Sequence, residues 1–513
     1  MHKFSRRELI RTSAMMLGGS VVGGGLSRFA FANNHPHPHQ GSLDFLDSGT
    51  YIENCEVHMK LDVPWGMGGK SQMMAIGKRR FLFNDGNVWD VSDALHPELV
   101  NEGAWPGGQL QLAFNRDLRK WILVTAAGPP PTSSTPEAPD GKYGDPRLID
   151  NSRYYAGLRG VRIYDASNPA DIRLLSMWSC DQGDPTRAVQ TGGGTHRNYY
   201  DGGRYAYLDA APDNSFINME SPVRLYSNCL QIIDLADPAK PRFVSNWWFA
   251  GQRAGELRAY RQWREFGDRS SFTAAHGAFY APKKVEAGGR YVYGSYGSFG
   301  ITVHDVSNPA QPKLVSQWRP PYLPGAIPFH TADISWLHRG ILIGTSEALN
   351  PDCNEPFHDN YVLDISDISK PQPLAQFGRW SAPGGAPYQD FCDKRGRYGT
   401  HNPPHLKAPG KRHDSFIGYA AFNAGFQFMD FSKPGKPAMD GYFVPPTGGS
   451  LAEPGSFNRV GDGLMVEWDR NIIWAMADSG IYLLSHPSLG KPDFSPQPVV
   501  EWSVDGLNSG HDA

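Results

Sequence analysis

The sequence carries almost no net charge. Its 49 Lys and Arg residues nearly balance 52 Asp and Glu residues, so the formal charge is −3 at pH 7. It also lacks a basic stripe with interleaved aromatic residues, the feature that attracts nucleic acids. The sequence therefore argues against a nucleic-acid or membrane-surface partner and favours a small molecule or a protein.

Common catalytic and cofactor motifs are absent. The five cysteines have no C-x-x-C spacing, which excludes the usual iron–sulfur and c-type haem attachment motifs. There is no G-x-S-x-G elbow, H-E-x-x-H helix, phosphate-binding Walker loop or dinucleotide fingerprint. The sequence therefore assigns no residue to binding an organic cofactor.

Long apolar runs and heptad periods are missing, whereas glycine, proline and aromatic residues are plentiful. The chain has 57 Gly and 42 Pro residues, and 12% of its residues are aromatic. This composition is typical of many short strands joined by tight turns. We therefore predict an all-β protein.

The N-terminus has the pattern of an export signal. Ser5–Arg11 resembles the twin-arginine motif, a weakly apolar Thr12–Leu26 follows, and Ala30–Ala32 is a small-residue cleavage site. A Sec leader or a membrane anchor is the alternative, but the apolar run is shorter than the ~20 residues that span a bilayer. We predict a signal peptide at 1–32, export of the folded chain by the twin-arginine machinery, and a periplasmic or secreted product without stable membrane insertion.

A histidine-rich tail, 33–50, follows the predicted cleavage site. The new terminus would read Asn33-Asn34-His35, and His37 and His39 come next. A free amine, two amides and a third-position imidazole can bind Cu(II) or Ni(II) in a square plane. A solvated, disordered tail is the favoured alternative, and we do not place the functional metal there.

A short motif repeats through the remainder of the chain. Each copy has an apolar run, an Asp and a Ser-Asn-Pro type turn, and most copies are followed by a Pro and a second β-rich run. The seven copies are Val88–Ser92, Arg162–Pro169, Gln231–Pro238, Thr302–Pro309, Tyr361–Asp367, Gln427–Ser432 and a degenerate Tyr482–Pro487.

These copies resemble the LVIVD-repeat family. The resemblance covers nearly the whole mature chain and implies a seven-bladed β-propeller of four-stranded blades at 51–513. The residues agree with it independently, because the Asp side chain can cap a turn through backbone amides and the Pro suits the start of an outer strand. We therefore expect the recurring aspartates to be structural, and the motif itself says little about chemistry.

The two faces of the predicted propeller differ. If the strands of each blade run A to D from hub to rim, the AB turns are short and often basic, as at 77–80 and 468–471, and we expect them to be solvated. The long insertions fall in the BC and DA loops, and we call their side the loop-rich face. Long loops on a rigid scaffold commonly carry function. This face also holds a predicted helix at 255–266 and, in an oxidising compartment, a permitted Cys353–Cys392 disulfide.

Four histidines end DA loops and open strand A in successive blades, where the central channel meets the loop-rich face. Taken singly, each is a polar residue at a loop end, but four in register predict converging imidazoles. Imidazole ligation points to copper or iron, with zinc possible. Blades 1, 2 and 7 have Gly, Gln or Ser near this position, which leaves an open side for a substrate. The predicted metal ligands are His196, His276, His330 and His401, with His405 as a spare candidate.

Carboxylates on the same face provide a candidate catalytic group. We expect Asp209, Glu220, Glu347 and Glu467 there, and Glu347 follows strand B of the blade that carries His330. This position suits an outer-sphere hydrogen bond to a metal ligand or a general base. A solvated loop acid is the alternative.

Two functions remain open at this point. In the first, the histidines hold a transition metal and the protein is an exported oxidoreductase or metal-assisted lyase acting on a small molecule. The histidine set is similar to that of other seven-bladed propellers, such as carotenoid cleavage oxygenases and nitrous-oxide reductase, although none of their motifs is evident. In the second, the loop-rich face is a non-catalytic binding or recognition platform at the cell envelope.

Overall fold

The computed structural model describes most of the chain beyond the predicted leader. The described residues are 49–63, 71–106, 109–128, 157–188, 190–216, 227–264, 274–321, 327–348, 353, 355–394, 396–404, 406–446, 463–477 and 479–503. The predicted leader and nearly all of the histidine-rich tail lie outside them, as do Glu220 and His405. Within these residues, no helix is long and apolar enough to cross a bilayer.

The first half of the chain supplies two N-terminal strands and three blades. The N-terminal strands are β1 (Tyr51–Glu53) and β2 (Glu56–Leu61). Blade 1 contains β3 (Gln72–Ile76), β4 (Arg79–Asn84), β5 (Asn87–Asp90) and β6 (Glu98–Asn101). Blade 2 contains β7 (Leu110–Asn115), β8 (Lys120–Ala127), β9 (Gly160–Asp165) and β10 (Arg173–Ser179). Blade 3 contains β11 (Gly194–Thr195), β12 (Tyr199–Tyr200), β13 (Tyr205–Ala211), β14 (Cys229–Asp234) and β15 (Arg242–Trp247).

The second half supplies four blades and a helix, α1 (Leu257–Arg264). Blade 4 contains β16 (Tyr291–Ser295), β17 (Ile301–Asp305) and β18 (Lys313–Trp318). Blade 5 contains β19 (Ile327–Asp333), β20 (Ile341–Glu347), β21 (Asn360–Asp364) and β22 (Gln372–Phe377). Blade 6 contains β23 (Tyr398–Asn402), β24 (Phe416–Phe422), β25 (Phe426–Asp430) and β26 (Ala438–Val444). Blade 7 contains β27 (Gly463–Glu467), β28 (Ile472–Ala477) and β29 (Gly480–Ser485).

Seven antiparallel sheets form a β-propeller, which confirms the predicted fold class. Blade 7 is completed from the other end of the chain, because β2 pairs with β29 as its outer strand. The other N-terminal strand, β1, pairs with β26 and gives blade 6 a fifth strand. Joining both ends of the chain in neighbouring blades closes the ring.

The recurring aspartates cap turns, as the sequence predicted. In the repeat of blade 4, one carboxylate oxygen of Asp305 accepts hydrogen bonds from the Ser307 amide (2.9 Å) and hydroxyl (2.6 Å), and the other accepts from Arg290 (2.8 Å). The same bond to the amide two residues on recurs in five other blades, at Asp90, Asp165, Asp234, Asp364 and Asp430. These carboxylates therefore stabilise the fold.

The connection between β23 and β24 overturns one expectation about the faces. The sequence placed the long insertions on the loop-rich face, yet residues 403–404 and 406–415 belong to a long AB connection in blade 6. The buried Lys407 ammonium on this loop donates to the carbonyls of Tyr200 (2.6 Å) and Leu112 (3.1 Å), in blades 3 and 2. Because a loop of blade 6 reaches two blades across the ring, it crosses the channel at the face opposite the loop-rich face. We call this face, which carries the short AB turns, the short-turn face, and we call residues 403–404 and 406–415 the channel plug.

The AB turns differ from expectation in a second respect. Arg80 and Arg470 are fully buried rather than solvated, and both form ion pairs with Glu467. Glu467 ends strand A of blade 7, at the short-turn face, so its predicted place on the loop-rich face is wrong. The indole of Trp474 also donates to the Glu467 carboxylate (2.7 Å). Glu467 therefore binds two arginines and an indole at the seam between blades 7 and 1.

Two local predictions about the loop-rich face are confirmed. The predicted helix is present as α1. Cys353 and Cys392 form a disulfide, and Cys55, Cys180 and Cys229 are free thiols. Burial raises the pKa of the Cys55 thiol to about 12, so this thiol is unreactive at neutral pH.

Candidate metal centre

The four predicted histidines each lie where strand A departs from regular pairing. His196 falls in the break between β11 and β12, and His276 lies in an irregular segment beside β16. The register of β19 shifts between Ile327 and Thr331, a stretch that contains His330. The register of β23 likewise shifts around His401. Bulges of this kind re-aim side chains, and here they direct imidazoles of successive blades toward one another.

Backbone bonds hold these irregular segments in place. The amides of His196 and His276 donate to equivalent strand B carbonyls, those of Asp209 (3.1 Å) and Ser295 (3.3 Å). The Ser295 hydroxyl also donates to the carbonyl of His330 (2.5 Å) in the next blade. Neighbouring blades therefore fix the positions of the histidines relative to one another.

The imidazoles form a continuous row along the channel mouth. Ring centroids are 4.8 Å apart for His196 and His276, 5.0 Å for His276 and His330, and 4.4 Å for His330 and His401. His330 and His401 are buried, while His196 and His276 are partly exposed. The row therefore opens toward solvent at its blade 3 and blade 4 end.

Glu347, the predicted catalytic carboxylate, lies beside three of the four rings. Its Oε2 is 2.8 Å from Nε2 of His276 and 3.5 Å from Nε2 of His330. Its Oε1 is 3.6 Å from Nε2 of His401. The possible ligand atoms of His276, His330 and Glu347 lie within 4.8 Å of one another. The carboxylate thus belongs to the cluster itself, and it is not a solvated loop acid.

Two arginines and an amide, which sequence reasoning missed, complete the surroundings. Arg397 pairs with Oε1 of Glu347 and lies over the Phe422 ring at 3.9 Å. Arg197 approaches Nε2 of His401 (3.0 Å), and Asn402 approaches its Nδ1 (3.0 Å). Arg197 and Asn402 each follow a predicted histidine directly in sequence, which was an available signal. Nothing in the sequence pointed to Arg397.

The electrostatics hold Glu347 ionised and His330 neutral. Burial alone would raise the pKa of Glu347, but Arg397, His401 and the hydrogen bond with His276 hold it well below its usual range. Burial, with the charges of Arg197 and His401, holds the pKa of His330 well below its usual range. A carboxylate and a neutral imidazole are the protonation states that metal binding requires.

Asp209 is the other carboxylate at this site. Its side chain is fully buried, and burial raises its pKa to about 8 against the hydrogen bonds from Asn228 and the Arg197 amide. Its carbonyl accepts from the His196 amide (3.1 Å), and its Oδ2 accepts from the Arg197 amide (3.4 Å). It therefore supports the backbone of the cluster.

The residues present fit a metal ion. Nδ1 of His330 is hydrogen-bonded to the Thr331 hydroxyl (2.7 Å), whereas its buried Nε2 has no hydrogen-bond partner among the described residues. That nitrogen faces the same carboxylate oxygen as Nε2 of His276. Two imidazoles and a carboxylate are a ligand set of Fe(II) and Zn(II) sites, and Thr331 occupies the position of a ligand-orienting group.

Comparison with known proteins identifies the repeat. A family model described as the LVIVD repeat matches residues 282–319, which include β16, β17 and β18. The chain carries an LVIVD repeat. The match agrees with the motif in blade 4, where Asp305 caps its turn. No curated protein is significantly similar to the chain.

Two solved structures match the chain at low sequence identity. The first is Raptor from Chaetomium thermophilum, with 11% identity, a TM-score of 0.42 and coverage of 85% of this chain. The second is the β-propeller domain of Cps50 (Swd1) from Myceliophteria thermophila, with 10% identity, a TM-score of 0.41 and coverage of 85% of this chain and 99% of that domain. The chain spans 29% of the length of the Raptor chain.

Proposed function

We propose that the cluster of His276, His330 and Glu347 binds one transition metal ion, and that the protein is a metal-dependent oxidoreductase or lyase acting on a small molecule. One observation carries the proposal. Nε2 of each histidine faces the same carboxylate oxygen of Glu347, at 2.8 Å and 3.5 Å. Because His330 is neutral there, these atoms form a preorganised set of donors.

The ligand set favours iron or copper, with zinc as the third option. A bound iron or copper ion supplies redox chemistry, and a bound zinc ion supplies Lewis-acid chemistry suited to a lyase. His196 and His401 flank the three ligands on either side. They would act as additional ligands or as proton donors and acceptors to a substrate.

The neighbouring residues position this set. Thr331 orients the His330 ring through the hydrogen bond between its hydroxyl and Nδ1, and Arg397 orients Glu347 by holding Oε1 so that Oε2 faces the imidazoles. We assign Glu347 to metal binding in preference to general base catalysis. A carboxylate whose pKa lies well below its usual range accepts protons poorly at neutral pH.

We also propose that the protein works in the periplasm or outside the cell after twin-arginine export. The Ser5–Arg11 motif supports this location. The Cys353–Cys392 disulfide supports it independently, because disulfides persist mainly in oxidising compartments. Export in the folded state would allow the metal to be inserted in the cytoplasm.

Metal analysis of natively exported protein tests the proposal. We expect about one equivalent of iron, copper or zinc in the wild type and a loss of most of it in a His276→Ala/His330→Ala variant. The matched control is His338→Ala/His413→Ala, which removes two histidines at the short-turn face and should leave the metal content unchanged.

The non-catalytic alternative predicts a different result. A binding or recognition propeller needs no metal, so the wild type and both double variants would be metal-free and equally stable. That outcome would overturn the enzyme proposal and leave the loop-rich face as a recognition platform.

A further inference from the structure

A narrow cavity lies in the channel directly beneath the histidine cluster. Thr331 and Asn402, which contact the rings of His330 and His401, both line it. Its lower wall comes from the channel plug, through Pro403, Pro404 and Leu406. The cavity therefore lies between two residues that contact the histidine rings and the loop that crosses the channel.

The wall of this cavity is mixed in character. Leu406, Leu464 and the two plug prolines are apolar, and Tyr280 adds an aromatic surface. Among the described lining residues, Asp333 is the sole carboxylate. Apolar walls with a few convergent polar groups are typical of small-molecule sites.

Asp333 has one carboxylate oxygen free to receive a ligand. Its side chain is fully buried, and its Oδ1 accepts hydrogen bonds from the Ser335 amide (2.9 Å) and hydroxyl. Its Oδ2 has no hydrogen-bond partner among the described residues. Leaving a buried carboxylate oxygen unpaired costs free energy, so this oxygen suits a bound N–H or O–H donor.

The position of Asp333 relative to the metal site follows from the strand. Thr331 and Asp333 are two residues apart on β19, so they share the face that lines the cavity. Burial raises the pKa of Asp333, and the positive charge of Arg412 in the plug opposes this shift. The two side chains form no ion pair or hydrogen bond within the described residues. Arg412 thus favours the ionised form of Asp333 without occupying Oδ2.

We propose that Asp333 anchors the substrate, and that the substrate is a small molecule with an amine or hydroxyl group that donates a hydrogen bond to Oδ2. This inference rests on the proposed function, since it places the hydrogen-bond donor of the substrate below the histidine cluster and the reacting group of the substrate beside that cluster. A carboxylate-bearing substrate would meet the Asp333 charge in a buried site and is disfavoured.

Ligand-observed NMR with three small probes tests the inference. Ethanolamine presents an ammonium and a hydroxyl, glycerol presents hydroxyls alone, and acetate presents only acceptors. Each probe is titrated into metal-free and metal-loaded protein. We expect donor-bearing probes to bind in both forms and acetate not to bind. The comparison of ethanolamine with glycerol distinguishes an amine from a hydroxyl ligand.

Three variants isolate the contribution of Asp333. Asp333→Asn should weaken binding of the preferred probe about tenfold, because a charged acceptor is replaced by a neutral one. Asp201→Asn is the matched control, since Asp201 ends strand A of blade 3 and accepts the same type of backbone bond, from Gly203 (2.8 Å), without lining the cavity. Leu464→Phe narrows the cavity with Asp333 intact and should abolish binding even if Asp333→Asn fails to fold.

The outcomes separate this inference from the metal proposal. Donor probes that bind equally to wild type and Asp333→Asn, acetate that binds as well as ethanolamine, or binding unaffected by Leu464→Phe would each overturn the anchor. If metal binds and no probe does, the metal site stands without the anchor. Asp333-dependent binding to a protein that takes up no metal would support the anchor and contradict the proposed function.

Discussion

His304 and His330 are both fully buried imidazoles in contrasting surroundings. His330 faces a carboxylate, whereas His304 is surrounded by aromatic rings. The distances from the centroid of the His304 ring are 4.2 Å to that of Trp247, 5.8 Å to that of Phe279 and 6.4 Å to that of Tyr296. The sequence located His330 by its place at a strand start, but it gave no sign that Glu347 would contact three rings. That contact depends on how strands of neighbouring blades meet, which a single sequence does not encode locally.

The burial of His304 makes stability depend on pH. Burial lowers the pKa of His304 to about 3, so the folded chain keeps it neutral while the unfolded chain protonates it near pH 6.5. The free energy of unfolding should therefore fall as pH falls from 6.5 toward 3, by up to ~1.4 kcal/mol per pH unit from this group.

Denaturant titrations across this pH range measure the effect. His304→Phe should remove this part of the slope, whereas the exposed His96→Phe should retain it. Equal slopes for wild type and His304→Phe would show that the buried imidazole does not remain neutral.

The Thr331 hydroxyl should tune the metal site without supporting the fold. Thr331→Val removes the hydrogen bond to Nδ1 of His330, and loss of such an orienting group typically weakens metal affinity ~10–100-fold. Competition with a chromophoric chelator measures the affinity. Thr302→Val, in which the lost hydroxyl donates to the Gly294 carbonyl (3.4 Å), should bind metal like the wild type.

At the scale of elements, the repeat motif was sufficient to predict the blades, because each copy encodes a strand, a capped turn and a second strand. The channel plug was not predictable in the same way. Its conformation depends on the carbonyls of Leu112 and Tyr200, which are distant in sequence and carry no pattern. The irregular segments that orient the histidines were not predictable for a similar reason, because they are defined by the register between strand A and strand B.

The turn cap of the LVIVD repeat should contribute measurably to stability. Asp305→Ala removes two hydrogen bonds within the turn and should lower the free energy of unfolding by ~1–2 kcal/mol. Arg290→Ala should have a much smaller effect, because its guanidinium is exposed and surface ion pairs contribute little. Chemical denaturation of the two variants checks the difference, and equal losses would mean that the ion pair, not the turn cap, stabilises this repeat.

At the scale of the whole molecule, the seam between blades 7 and 1 closes the ring. The strand β2 from the N-terminus completes blade 7, and Arg80 and Arg470 from the two blades share the buried Glu467. The repeat count predicted seven blades, but the strand exchange and this ion-pair network required the closed structure. Basic residues in short turns usually indicate solvated side chains. Here the segment 491–503 covers the basic turn of blade 1, and the Gln497 carbonyl accepts a hydrogen bond from Arg80 (3.0 Å).

Removing the shared carboxylate should weaken the seam strongly. Glu467→Gln leaves two buried guanidinium groups without their charge partner, and breaking a buried ion pair typically costs ~3–5 kcal/mol. Asp469→Asn should cost less, because Asp469 is partly exposed and its ion pair is with Arg80. Guanidinium-induced unfolding measures both variants, and a neutral Glu467→Gln substitution would contradict this account of closure.

Anomalous diffraction from crystals of natively exported protein tests the metal centre most directly. Data collected at the absorption edges of iron, copper and zinc would locate and identify a bound ion. We predict one peak within coordination distance of Nε2 of His276, Nε2 of His330 and the Glu347 carboxylate, with His196 and His401 on either side. A difference map without a peak at this position, or with a peak only at other histidines, would contradict the proposal.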